Sequence, residues 1–209
     1  MLEEHATAYD AMLAMAMHRI RHLVILDGNE RIGGVVSERD LFAMQRIGLR
    51  NVRKVIEGSK SIEELARAAS DVRRLCINML AQGVNAEKLT QFISGLNDSL
   101  TRRVIEVVMG GFDLNGSDWA WLAFGSEGRD EQTFSTDQDN GIIFRVPAGG
   151  DTELMRKRFL AFAKAVNEGL ARCGFPLCKG NIMASNPSWC LSQDEWRECF
   201  GKWIRSPEP

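Results

Sequence analysis

Between Trp119 and Val146 the chain runs from an apolar stretch through a glycine-rich turn to two alternating aspartates and then a second β-prone stretch. That order constrains the local fold more than any other part of the sequence. Trp119-Ala120-Trp121-Leu122-Ala123-Phe124 reads as a buried strand, and Gly141-Ile142-Ile143-Phe144-Arg145-Val146 is rich enough in β-branched and aromatic residues to read as another. In an extended chain, side chains two apart project from the same face, so Asp137 and Asp139 point together where the second strand begins. Two carboxylates held side by side need a cation. Magnesium, or manganese in its place, suits a site with one or two carboxylates that draws its other oxygens from water and phosphates. Gly125 and Gly128 flank a turn in which backbone N–H groups can approach a phosphate closely, and Ser126 is expected to open a short helix whose amino end favours an anion. Strand, phosphate turn and metal strand then form one cleft.

Other readings of the same residues fit less well. A calcium loop starting at Asp137 places Gly141 at position five, Ile142 at six and Ala148 where the closing glutamate belongs. A nucleotide-binding P-loop needs Gly-Lys-[Ser/Thr] after the glycines, and none follows. A GXXG nucleic-acid clamp fits Gly125 to Gly128 in form, but Glu127 would face the phosphate backbone it should attract. An acidic hairpin turn without chemistry remains. The glycine turn and the aspartate pair together favour chemistry over it.

The segment resembles the nucleotidyltransferase signature of the DNA polymerase β superfamily, Gly-Ser followed by Asp-x-Asp on a strand. Gly125, Gly128, Arg129, Glu131, Asp137 and Asp139 are similar, without a gap, to the signature of the amino-terminal domain of protein-PII uridylyltransferases. Ser126 stands where that enzyme has a second glycine. Closer still is the resemblance to a family of bacterial signal-transduction nucleotidyltransferases, carried by Gly125-Ser126-Glu127-Gly128-Arg129 and Thr136-Asp137-Gln138-Asp139-Asn140. Its downstream hallmark resembles Pro176-Leu177-Cys178, Met183-Ala184-Ser185-Asn186-Pro187 and Trp189-Cys190, so the likeness spans roughly residues 60 to 209. The resemblance implies a magnesium-dependent transfer of a nucleoside monophosphate from a nucleoside triphosphate to a protein or small-molecule acceptor. Asp137 and Asp139 would hold the metal, and Gly125, Ser126, Gly128 and Arg129 the triphosphate. Arg129 could equally pair with Asp137 or Glu131.

The superfamily usually adds a third carboxylate from a later strand. The candidate strand here, Phe175 to Ala184, carries Lys179-Gly180-Asn181-Ile182-Met183 and no acid. Asp194 and Glu195 read as a helix start, Lys179 as an exposed turn residue, and Asp130 or Glu131 are the substitutes at hand. Without a base the chain would bind nucleotide and transfer slowly or not at all. The contrasting expectation is thus a non-catalytic regulatory module with a degenerate transferase half.

Composition narrows the substrate. With 26 basic against 28 acidic residues in 209, and a pI near 6.0, the chain has no electrostatic footprint for nucleic acid. Five cysteines, odd in number and without CxxC spacing, argue against a disulfide framework or a zinc site and for free thiols in a reducing cytoplasm. No apolar run approaches a membrane span, and Met1-Leu2-Glu3-Glu4-His5 is unlike a signal peptide.

The predicted architecture is α/β of the α+β kind, in three parts. Residues 1–50 read helix, strand, strand, helix: Thr7 and Asp10 suggest a capping box, Tyr9, Met12, Leu13, Ala16 and Ile20 a helical stripe, and Asp27-Gly28-Asn29 a turn between strands. This part resembles a single cystathionine-β-synthase (CBS) motif lacking its leading strand. The resemblance implies an adenine-nucleotide contact at Ser37 and Asp40, which also form a helix cap by themselves. Such motifs work in pairs, so a piece of a longer protein or a pairing subunit is expected. Residues 51–111 read as a helical hairpin, with Ser61 and Glu64 as a cap, a stripe from Ile62 to Met79, a stop at Gly83, a restart at Asn85 and a second stripe from Leu89 to Val107. Helix packing is its ordinary role, and a homodimer interface or a regulatory lever the functional alternative. Residues 112–209 hold the transferase-like part: a small mixed sheet with a helix from Thr152 to Arg172 and another capped by Ser192 and Glu195, whose Trp196, Phe200 and Trp203 form an apolar stripe.

Overall fold

The computed structural model describes residues 2–3, 6–81, 86–114, 117–134 and 136–206. Gly83 and Asn85, the expected stop and restart of the hairpin, lie outside them. The chain divides into two compact units, Met1–Lys54 and Val55–Pro209.

In the first unit a two-residue strand β1 (Leu2–Glu3) lies parallel to β2 (His22–Leu26), which pairs antiparallel with β3 (Ile32–Ser37). The turn between β2 and β3 is closed by Asp27, whose Oδ1 accepts from the N–H groups of Asn29 and Arg31, both at 2.9 Å. Helix α1 (Ala8–His18) begins at the Thr7–Asp10 capping box. Its buried face is Ala11 and Met15, packed with Leu23 and Leu41, while Leu13, Ala16 and Ile20 are exposed. Met12 of the expected stripe packs against this cluster, but the stripe as a whole is offset from the buried face. Nearly every residue of this helix is apolar, so periodicity carries no contrast, and the position of the sheet decides which face is covered. Helix α2 (Glu38–Gly58) follows, and the boundary between the two units falls within it.

The second unit is an α/β layer. Helices α3 (Ile62–Ala81) and α4 (Ala86–Met109) pack against each other and against α5 (Thr152–Arg172). Leu65, Val72 and Cys76 of α3 and Leu89, Ile93, Leu96, Leu100 and Val104 of α4 are buried, as their spacing predicts. Strands β4 (Trp119–Ala123), β5 (Asn140–Phe144) and β6 (Cys190–Ser192) form a sheet in that order, antiparallel between β4 and β5 and parallel between β5 and β6. Helix α5 covers one face with Phe159, Phe162, Ala163 and Val166, and Phe159 stacks on Phe144 at 5.0 Å between ring centroids. Helix α6 (Gln193–Arg205) starts at the Ser192–Glu195 capping box and buries Trp196, whose Nε1 donates to Ile142 O at 2.9 Å. Phe200 and Trp203 stay about half exposed, so only part of the expected stripe is core. Arg156 ties these elements together, donating to Cys190 O at 2.7 Å and to Glu195 at 2.5 Å.

Two expected elements are absent. Residues 175–184 form no strand; the third strand is β6, too short to announce itself by alternation. Pro176 has no N–H to give a ladder, and Asn181 at φ 56° closes a turn through its N–H to Cys178 O at 3.0 Å. Nor does a helix open at Ser126. Left-handed residues at Gly125 (φ 54°) and Asp130 (φ 56°) fold residues 125–130 back as consecutive turns, which a right-handed helix cannot accommodate.

Candidate active site

The register of β4 on β5 pairs Ala123 with Asn140, so the turn leaving one strand lies beside the aspartates entering the other. Phe124 N–H donates to Asp139 O at 2.9 Å and extends that pairing by one residue. The approach is closest at Gly125. A β-carbon there would collide with Oδ2 of Asp139, and the positive φ already excludes most side chains. Gly128 is held equally tightly, since a β-carbon would lie 2.7 Å from Ala123 O. The N–H of Gly128 donates to Phe124 O at 3.0 Å, whereas among the described residues those of Gly125, Ser126 and Glu127 have no protein acceptor.

Residues 137 to 140 alternate as an extended chain should. Gln138 and Asn140 are buried; Asp137 is exposed and Asp139 half-buried. The inward side chains join a buried amide network. Asn167, in the middle of α5, donates from Nδ2 to Gln138 Oε1 at 2.7 Å and to Asn140 Oδ1 at 3.0 Å. Gln138 donates to the carbonyls of Asn167 and Phe175 at 3.0 and 2.8 Å, and Asn140 Oδ1 also accepts from Ala184 N–H at 2.8 Å. Locking the inward pair fixes the aim of the outward pair. The sequence signal for this support is an asparagine amid Phe162, Ala163, Val166 and Leu170 on a buried helix face, a position not singled out above.

Asp137 and Asp139 do converge, and the third donor beside them is Cys178: one ligand atom from each residue lies within 4.8 Å of the other two. Among the described residues no third carboxylate completes that group. Arg129 turns away to Glu131, at 2.8 Å with both side chains exposed. Ser37 and Asp40, in the first unit, bind one another reciprocally as a helix cap, with Asp40 Oδ2 accepting from Ser37 N–H at 3.0 Å and from its hydroxyl at 2.6 Å.

Set against this geometry, the family model described as putative nucleotidyltransferase DUF294 matches residues 70–209. The chain belongs to that nucleotidyltransferase family. The match covers most of the second unit, including the hairpin helix α4, the glycine turn and the aspartate pair, and none of the first. No curated protein and no solved structure matches the chain significantly. No helix among the described residues is long and apolar enough to cross a membrane.

A metal fits this group by its donor chemistry, since two carboxylates face one another without a cationic side chain paired to either among the described residues. Glu127 adds to the negative field. Burial pushes its carboxyl up to about 7, with repulsion from Asp98 and Asp139 in the same direction and a 3.3 Å hydrogen bond from the Thr101 hydroxyl opposing them. A carboxyl whose folded pKa exceeds its unfolded value holds more protons in the folded state between those two values, so stability falls as pH rises through that window. Metal-free protein is accordingly expected to lose stability from about pH 5 to pH 8. Glu127→Gln should flatten that slope and stabilise the protein at pH 8 by up to about 3 kcal/mol. Urea melts at four pH values check this, and parallel profiles for the two proteins would refute it.

Proposed function

We propose that this chain transfers a nucleoside monophosphate from a nucleoside triphosphate to a protein or small-molecule acceptor, in the manner of the protein-PII uridylyltransferases its motif resembles. The observation that carries this reading is the close approach of Gly125 to Asp139, which sets the glycine turn and the carboxylate pair side by side as one candidate site. In it, the N–H groups of Gly125, Ser126 and Glu127 would bind triphosphate oxygens, and Gly128 would keep the turn against β4. Arg129 would reach phosphate only by leaving Glu131.

Asp137 and Asp139 would hold magnesium or manganese, which when bound would neutralise phosphate charge and orient the triphosphate. The acceptor would attack the α-phosphorus, forming a new P–O or P–N bond as pyrophosphate departs. Glu127, whose carboxyl burial raises to about 7, would take the acceptor's proton as general base. Ser37 and Asp40 would contact an adenine nucleotide in the first unit as a regulatory input, and a homodimer would pair two such units. A cytoplasmic signalling role fits the free thiols, three of them buried.

A second reading, a non-catalytic binding module, is favoured by the lack of a third carboxylate beside Asp137 and Asp139 among the described residues. Incubating the protein with each labelled nucleoside triphosphate, magnesium or manganese, and a cell extract separates the two. One nucleotide should label an acceptor. Failure with every nucleotide and both metals would leave the binding module.

A further inference from the structure

Residues 175–184, the acid-free candidate for the superfamily's later strand, form a loop that presents sulfur beside the aspartates. Gln138 N–H donates to Pro176 O and Asn140 N–H to Ile182 O, both at 3.0 Å, so the loop is fastened on either side of Asp139. Between those fastenings the turn from Cys178 to Asn181 brings the thiol beside the Asp139 carboxylate. The sulfur and one oxygen from each aspartate lie within 4.8 Å of one another, a spacing that a single ion can span. The other thiols have no such placement: Cys76, Cys173 and Cys190 are buried, and Cys199 is in α6 outside the cluster.

We infer that Cys178 is the third protein ligand of the divalent ion held by Asp137 and Asp139, giving a donor set of two oxygens and one sulfur. This rests on the metal site proposed above and deepens it. Magnesium takes oxygen donors, whereas thiolate favours softer ions, so the site prefers cobalt or zinc to magnesium. The thiol proton passes to solvent as the metal–sulfur bond forms.

Cobalt(II) alone, titrated into the reduced full chain, tests this through absorption and calorimetry. Bound cobalt should show near-ultraviolet sulfur-to-metal charge transfer. Cys178→Ser should still bind cobalt, more weakly and without that absorption, and Cys178→Asp should lack it while shifting the preference toward magnesium. Circular dichroism confirms that the variants fold. Calorimetric binding to the wild type without the absorption, or absorption that survives Cys178→Ser, would overturn the sulfur ligand and leave the aspartate site standing. No cobalt binding at all would overturn both.

Discussion

Asp137→Asn/Asp139→Asn should reduce nucleotidyl transfer by about a thousandfold or more, equivalent to ~4 kcal/mol of lost transition-state stabilisation. Asparagine keeps the shape of each side chain and removes the charge that holds a cation. The fold should be indifferent to the change. Asp137 is exposed and Asp139 half-buried, and the amide network beneath them uses Gln138 and Asn140 instead. With the mutual repulsion of the pair gone, the metal-free variant should melt at or slightly above the wild-type temperature. Loss of transfer together with a matched drop in melting temperature would assign the aspartates a structural role.

Asn167→Leu should have the opposite signature. Its amide supports the site from behind, and leucine fills a similar volume without either hydrogen-bonding group. Gln138 Oε1 would lose its partner, and Ser185 N–H would lose the 3.2 Å bond to Asn167 Oδ1. One buried and one part-buried group left unpaired cost about 2–4 kcal/mol, a fall of roughly 5–15 °C in melting temperature. Metal affinity should fall with it, because the inward anchors of the aspartate segment have loosened, although residue 167 touches no metal ligand. A melting temperature within about 2 °C of wild type would mean that the network does not carry the segment.

What the sequence made legible was local. The caps at Thr7, Ser37 and Ser192 and the span of α5 follow from residues a few positions apart, and so does the convergence of Asp137 and Asp139. The parts that escaped are those set by distant contacts. Cys178 reaches the aspartates because Pro176 O and Ile182 O accept from Gln138 and Asn140 N–H where β5 begins, and Asn167 reaches Gln138 from α5, 29 residues on. Neither pairing leaves a periodic trace. Residues 125–130 failed as a helix for a different reason. Gly125 signalled freedom of φ, but the left-handed turn at Asp130, which reverses the loop, had no cue in its residue type strong enough to stop a helix from being expected.

The site should move a nucleotidyl group rather than a phosphoryl group. Parallel reactions with the active nucleotide labelled at the α- or at the γ-phosphate measure this directly. α-Label is expected on the acceptor and γ-label in an equal amount of pyrophosphate. Label passing from the γ-position to the acceptor, or appearing as free orthophosphate with a nucleoside diphosphate, would contradict it.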